Sequence, residues 1–224
     1  MTRIRGCFVT GTDTGVGKTV VACAIVRGLR RRGIDVGAMK PVETGVGPAG
    51  PLDAIALRAA AGGGDPLEDV CPQRFAMPAA PTVAARREGR EVDEAALDQA
   101  FGRLAARHDF LVVEGAGGLR VPATTNRSMA ELAAHWQLPL VLVARATLGT
   151  INHTRLTLEA AARSGLEVKG LVISHSAGPL DPADAANLAL LLEDPGAPLL
   201  GVIPPLAEGE QPADDALELS GLIG

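Results

Sequence analysis

The stretch GTDTGVGKT, Gly11 to Thr19, lies between a short apolar run and a helix-length amphipathic segment, an order that few folds can use. A glycine-rich turn at a helix N-terminus leaves backbone N–H groups free to surround phosphate oxygens, and the helix dipole adds favourable potential. Lys18 and Thr19 stand where an ammonium reaches the β- and γ-phosphates and a hydroxyl reaches Mg²⁺. The spacing is a lengthened variant of the usual phosphate loop: the pattern G-x-x-x-x-G-K-[ST] ending at Thr19 would need glycine where the chain has Thr12, and Gly11 comes one residue earlier.

The rest of the chain alternates in the way such a loop requires. Apolar runs at Cys7 to Thr10, Asp35 to Met39, Phe110 to Val113, Leu138 to Ala144, Val168 to Ser174 and Leu199 to Ile203 read as strands. FLVV and LVLV are continuously apolar, as strands buried on both faces of a parallel sheet are. Helices are predicted over Gly17 to Arg32, Asp53 to Ala61, Asp93 to Arg107, Ser128 to His135, Thr150 to Ser164 and Pro182 to Glu193. The first carries an apolar stripe (Val20, Val21, Ala24, Ile25, Val26, Leu29), arginines in its last turn and Gly33 as a stop. The expected architecture is one doubly wound α/β domain over residues 1–224, a mostly parallel sheet with helices on both faces. Function then belongs in the loops after the strands. Glu43 to Leu52 and Gly62 to Pro81, rich in glycine and proline, read as surface loops beside the site.

Composition narrows the partners. With 21 basic against 26 acidic side chains and 2% aromatic residues, the chain lacks the basic patch and stacking platforms of a nucleic-acid binder. No apolar run reaches the roughly 20 residues of a membrane span, and MTRIRGCFVTG does not read as a signal peptide, so a cytoplasmic location without a membrane partner is expected. Cys7, Cys23 and Cys71 are scattered and read as buried apolar residues. Three of the 21 basic residues are lysine, namely Lys18, Lys40 and Lys169.

Three further features point to charge handling. In DFLVVEGAGG, Glu114 ends an apolar strand beside the phosphate loop, a position suited to holding Mg²⁺ directly or through water. In AMKPVETG, Lys40 ends the second strand, and Pro41 keeps it extended and directs it to the same rim as Lys18. Two ammonium groups on one site call for anionic ligands. Asp53, at the start of a short helix, is either its N-cap or a further Mg²⁺ ligand. His108 and His135 read as helix-end or surface residues.

The ordered series FVTGTDTGVGKT, KPVETG, the Asp53 helix, VVEGAGG, LGTINHT and PLLGVIP resembles the dethiobiotin synthetases over nearly the whole chain. That resemblance implies a homodimer of about seven-stranded α/β subunits, with the site at the subunit interface, converting 7,8-diaminononanoate, CO2 or bicarbonate and ATP into dethiobiotin, ADP and phosphate. It implies that Gly15, Val16, Gly17, Lys18, Thr19 and Val20 hold the nucleotide phosphates with Gly115, Ala116 and Gly117 nearby, and that Thr19, Asp53 and Glu114 hold Mg²⁺. Lys40 becomes the catalytic lysine, with Thr14 and Lys18 flanking the reacting groups. Thr44, Gly117, Gly118, Thr150 and Asn152 line the diamine site, and His153 is structural. Ser174, Pro204, Pro205 and Leu206 border the base.

The chain departs from the resemblance at Gly15, where some relatives have glutamate, and at Ser174, where relatives often have an adenine-reading asparagine. A regulatory ATPase of the partitioning or division-site type is the alternative, but its signature lysine five residues before the loop lysine is Asp13 here. An amidoligase of the cobyrinate type would need a glutaminase domain for which 224 residues leave no room.

Overall fold

A computed structural model of the protein describes residues 4–207, 209–213 and 215–223. Along the chain run β1 (Arg5–Gly11), α1 (Lys18–Arg31), β2 (Val36–Met39), β3 (Val42–Thr44), α2 (Leu52–Ala60), α3 (Leu67–Val70), β4 (Gln73–Phe75), α4 (Pro81–Arg87) and α5 (Glu94–Ala105). There follow β5 (Phe110–Gly118), α6 (Met129–His135), β6 (Leu140–Arg145), α7 (Thr150–Arg163), β7 (Val168–Ser174), α8 (Pro182–Glu193), β8 (Leu199–Ile203) and α9 (Ser220–Ile223).

The main sheet has the order β2-β5-β1-β6-β7-β8, every neighbouring pair parallel. Its six described strands compare with the expected seven or so, and β3 and β4 form a separate parallel pair. Alternation along β1 and β5 divides the core in two: Cys7, Val9, Phe110 and Val112 pack with α1 on one face, while Phe8, Leu111 and Val113 pack with α4, α5 and α6 on the other. Both faces are therefore covered by helices, which is why these strands read as unbroken apolar runs.

Helix ends follow local chemistry. Gly33, at φ +78°, stops α1, with the N–H of Ile34 reaching the Leu29 carbonyl. Asp93 caps α5, Asp181 caps α8, and Ser128 with Glu131 forms a capping box on α6.

The two stretches expected to be surface loops are more ordered than that. Val42–Thr44 pairs with Gln73–Phe75 in register Val42 to Gln73, and α3 precedes β4. Arg74 ties the second stretch together through the carbonyls of Cys71 at 2.9 Å and Leu67 at 2.8 Å. Buried Asp69 accepts from Arg103 at 2.7 Å and Arg107 at 2.8 Å, which binds it to α5. The Asp69 contacts, 34 and 38 residues apart in sequence and invisible in a local reading of glycine and proline, help override the turn-forming composition. Asp53 is also not the N-cap of its helix, since Pro51 precedes α2 and Asp53 is the second helical residue. His108 is half-buried rather than a plain surface residue, its ring nitrogens 2.8 Å from Asp35 and 2.9 Å from Asp65.

Candidate functional site

The loop after β1 reaches α1 through Gly15 at φ +74° and Gly17 at φ +90°, conformations that favour glycine. Gly17 is the N-cap of α1, with no side-chain cap and no acidic residue in the first turn, so the helix presents its free N–H groups to the cavity. A β-carbon at Gly17 would lie 2.5 Å from Ser174 Oγ, so close approach adds to the demand for glycine there. Lys18 is buried, and its ammonium donates to the Asp13 carbonyl at 3.0 Å. Burial, followed by repulsion from Lys40, brings its pKa down to about 8.

Four elements bring the charged groups together. Glu114, at the fifth residue of β5, is 1% exposed. Its Oε1 accepts from Thr19 Oγ1 at 2.9 Å and from Lys40 Nζ at 2.5 Å. Lys40, just past β2, also meets Asp53 Oδ2 at 3.0 Å and the Gly115 carbonyl at 3.4 Å, which together occupy all three ammonium donors. Burial works against the Lys40 charge, but Glu114 and then Asp53 outweigh it and hold its pKa above the usual lysine value. For Glu114, burial dominates and raises the carboxyl pKa. For Asp53, burial is outweighed by Lys40, and the pKa is lowered.

Glu114 Oε2 is buried and has no hydrogen-bond partner among the described residues. An orphaned carboxylate oxygen beside a second carboxylate and a hydroxyl is the hard oxygen set that Mg²⁺ takes, so the residues present fit that ion.

Two cavities share walls here. One of about 390 Å³ is lined by the loop from Thr14 to Val20 except Val16, together with Lys40, Glu43, Thr44, Asp53, Glu114, Ala116, Gly117 and Ser176. The other, of about 330 Å³, is bounded by Pro78, Ala79, Ala80, Pro81 and Val121 and shares Thr14, Thr44, Ala116 and Gly117 with the first. A larger cavity of about 540 Å³, at the opposite ends of the strands beside Gly6, Leu138 and Lys169, brings together no comparable set.

Most of the expected site residues therefore converge, namely Thr14, Gly15, Gly17, Lys18, Thr19, Val20, Lys40, Thr44, Asp53, Glu114, Ala116 and Gly117. Others stand apart from the first cavity. Val16 packs its side chain into the core, Gly115 is buried behind Glu114, and Gly118 lines a neighbouring groove with Leu156. Ser174 is buried beneath Gly17, while Ser176, two residues on, lines the cavity. Pro204 and Pro205 are exposed, and Leu206 packs against the core. Thr150 is buried and Asn152 exposed at the start of α7. His153 Nδ1 is 3.2 Å from Arg145. Sequence reasoning passed over Glu43 and Ser176; Glu43 stood within the quoted KPVETG motif.

An AAA domain family model matches residues 5–213. The chain is 54% identical to the ATP-dependent dethiobiotin synthetase BioD of Anaeromyxobacter dehalogenans (strain 2CP-C), over 84% of this chain and 86% of that protein. It is 42% identical to the BioD of Thermodesulfovibrio yellowstonii over 91% and 90% of the two chains, and 41% identical to that of Aquifex aeolicus over 84% of each. Among solved structures, the signal recognition particle receptor FtsY of Elizabethkingia anophelis superposes with a TM-score of 0.51 at 17% identity, covering 99% of this chain and 64% of that one, a likeness of fold alone. A phosphate-loop helix facing two carboxylates and a second lysine, in a chain half identical to such relatives, makes this protein a member of the AAA domain family and, within it, of the dethiobiotin synthetases.

Proposed function

We propose that the chain catalyses the ATP-dependent carboxylation and ring closure of 7,8-diaminononanoate with CO2 to dethiobiotin, releasing ADP and phosphate. The observation that carries this reading is the position of Lys40, whose ammonium lies between Glu114 and Asp53 on the rim that also holds Lys18 and Thr19. A regulatory ATPase has no need of a second buried lysine there, whereas a reaction joining a carbamate to a triphosphate does.

In that reaction one amine adds to CO2 and loses a proton to give a carbamate. A carbamate oxygen then takes the γ-phosphoryl group as its bond to ADP breaks, and the neighbouring amine attacks the carbonyl carbon of the mixed anhydride, expelling phosphate, losing a proton and closing the urea ring. Most of the reacting groups are anionic, so alignment and charge neutralisation do the main part of the work. Backbone N–H groups from Gly15 to Val20 surround the phosphates, and Lys18 exchanges the Asp13 carbonyl for phosphate oxygens. Thr19, Asp53 and Glu114 would hold Mg²⁺, which when bound supplies positive charge to the β- and γ-phosphates. Lys40 balances the carbamate, and Thr14 flanks the reacting groups.

Thr14, Thr44, Ala116 and Gly117 line both cavities, which supports a diamine head between them and a methylene chain against Pro78 and Val121. Gly118 would extend the diamine site, and Thr150 and Asn152 would complete it across a homodimer interface, a reading supported by the exposure of Asn152. The chain acts as a single domain in the cytoplasm. Pro204, Pro205 and Leu206 border the base.

A coupled assay for ADP release tests the proposal. Release should require diaminononanoate and bicarbonate together; release independent of the diamine would reject the reading, and stimulation by DNA or lipid would favour a regulatory ATPase.

A further inference from the structure

Glu43 has no part in the reaction above, yet its carboxylate is buried at the edge of the site, 6% exposed. Its two oxygens are both committed to the start of α2. Oε1 accepts the backbone N–H of Asp53 at 3.1 Å, and Oε2 accepts that of Ala54 at 2.9 Å.

Pro51 precedes this nine-residue helix and offers no side-chain cap. Two of the free N–H groups at the helix start are therefore satisfied from ten and eleven residues away, by a side chain on β3. A bidentate acceptor on consecutive N–H groups fixes the direction of the first turn as well as its distance. One of the two gripped residues is Asp53, whose own carboxylate lies 3.0 Å from Lys40. A second buried carboxylate near Asp53 and Glu114 is unfavourable in charge, which argues that the grip on α2 offsets a real cost.

We propose that Glu43 is a positioning residue: by holding the backbone N–H of Asp53 it keeps that carboxylate in register with Glu114 and Thr19 for a divalent cation. This rests on the reading of Asp53, Glu114 and Thr19 as metal ligands.

The test is the affinity of Mn²⁺ for the ADP complex, measured by electron paramagnetic resonance in wild type, Glu43→Gln, Glu43→Ala, Asp53→Asn and the two Glu43 variants combined with Asp53→Asn. Glu43→Ala should weaken Mn²⁺ by about tenfold, in the range of residues that orient metal ligands. Glu43→Gln, whose amide has one acceptor oxygen, should lose less. Neither should weaken Mn²⁺ further once Asp53 is asparagine, a coupling that general damage to the fold would not produce. Metal-free ADP affinity should not fall in the Glu43 variants, and a fall as large as their loss of Mn²⁺ would overturn positioning.

If Asp53→Asn weakens Mn²⁺ while the Glu43 variants do not, or if their losses simply add, positioning is overturned and the ligand reading stands. If Asp53→Asn leaves Mn²⁺ affinity unchanged, both are overturned. Should Glu43→Ala fail to fold, Glu43→Gln carries the same cycle.

Discussion

Lys18 and Lys40 are both ammonium groups in one cavity, but their surroundings set them in opposite directions. Lys18 is held near 8 by burial and by Lys40, whereas Lys40 is kept charged by two carboxylates. Phosphate oxygens would favour charged Lys18, so its proton is taken up with the nucleotide, and ADP affinity should fall as pH rises above about 8. Calorimetry between pH 7 and 9 checks this, and Lys18→Arg should remove the dependence. In the empty protein the sign is the reverse: the folded state sheds the proton before the unfolded chain does, so Lys18 adds stability as pH climbs from about 8 toward 10.5. A planar guanidinium does not replace a compact ammonium in either position, so Lys18→Arg and Lys40→Arg should each lower kcat/KM by about a hundredfold or more, with Lys169→Arg nearly silent. On the proposal that Ser174 borders the base, its one hydroxyl, buried under Gly17, cannot pair donor with acceptor as an amide would. Comparable kcat/KM for ATP, CTP and GTP is therefore expected, and an ATP preference beyond about a thousandfold would exclude it.

At the level of elements, the site stands on contacts between pieces far apart in sequence. His108, after α5, lies across Gly37 of β2, where an added β-carbon would come 2.4 Å from the ring. Gly37→Val should displace that ring from Asp35 and Asp65 and lower stability by about 1–3 kcal/mol in urea unfolding. The phosphate loop, all six expected helices and five of the six expected strands were legible within two residues at each end, whereas β5 runs on past Val113 and Glu114 to Gly118, because its glycine-rich end still pairs with β1. Their periodicity and capping residues are local signals. The β3-β4 pair and α3 were not legible, because the strands meet across about thirty residues and Asp69 is held by Arg103 and Arg107, partners that only the fold brings near. The same limit applied at the site. Lys18, Thr19, Lys40 and Glu114 could be named from motifs at strand ends, whereas the reach of Glu43 to α2 depends on how β3 leaves the sheet.

Across the whole molecule, all three cysteines are buried and free, each thiol pushed up to about 12 first by burial. The native protein should react with a thiol reagent such as iodoacetamide at pH 8 only as fast as it opens, so labelling of Cys7, in the central strand, should track global unfolding. Among the described residues no helix is long and apolar enough to cross a membrane. The ammonium of Lys40 has a consequence at this scale too. Because it offsets much of the negative charge of Glu114 and Asp53 from within, the enzyme should not depend on a metal ion to remain folded. A chelator should leave the melting temperature where it was, while Lys40→Met should lower stability by roughly 3–5 kcal/mol and make it rise with added Mg²⁺. A protein that carries its own placeholder cation can be made, stored and emptied between turnovers without regard to the supply of the ion.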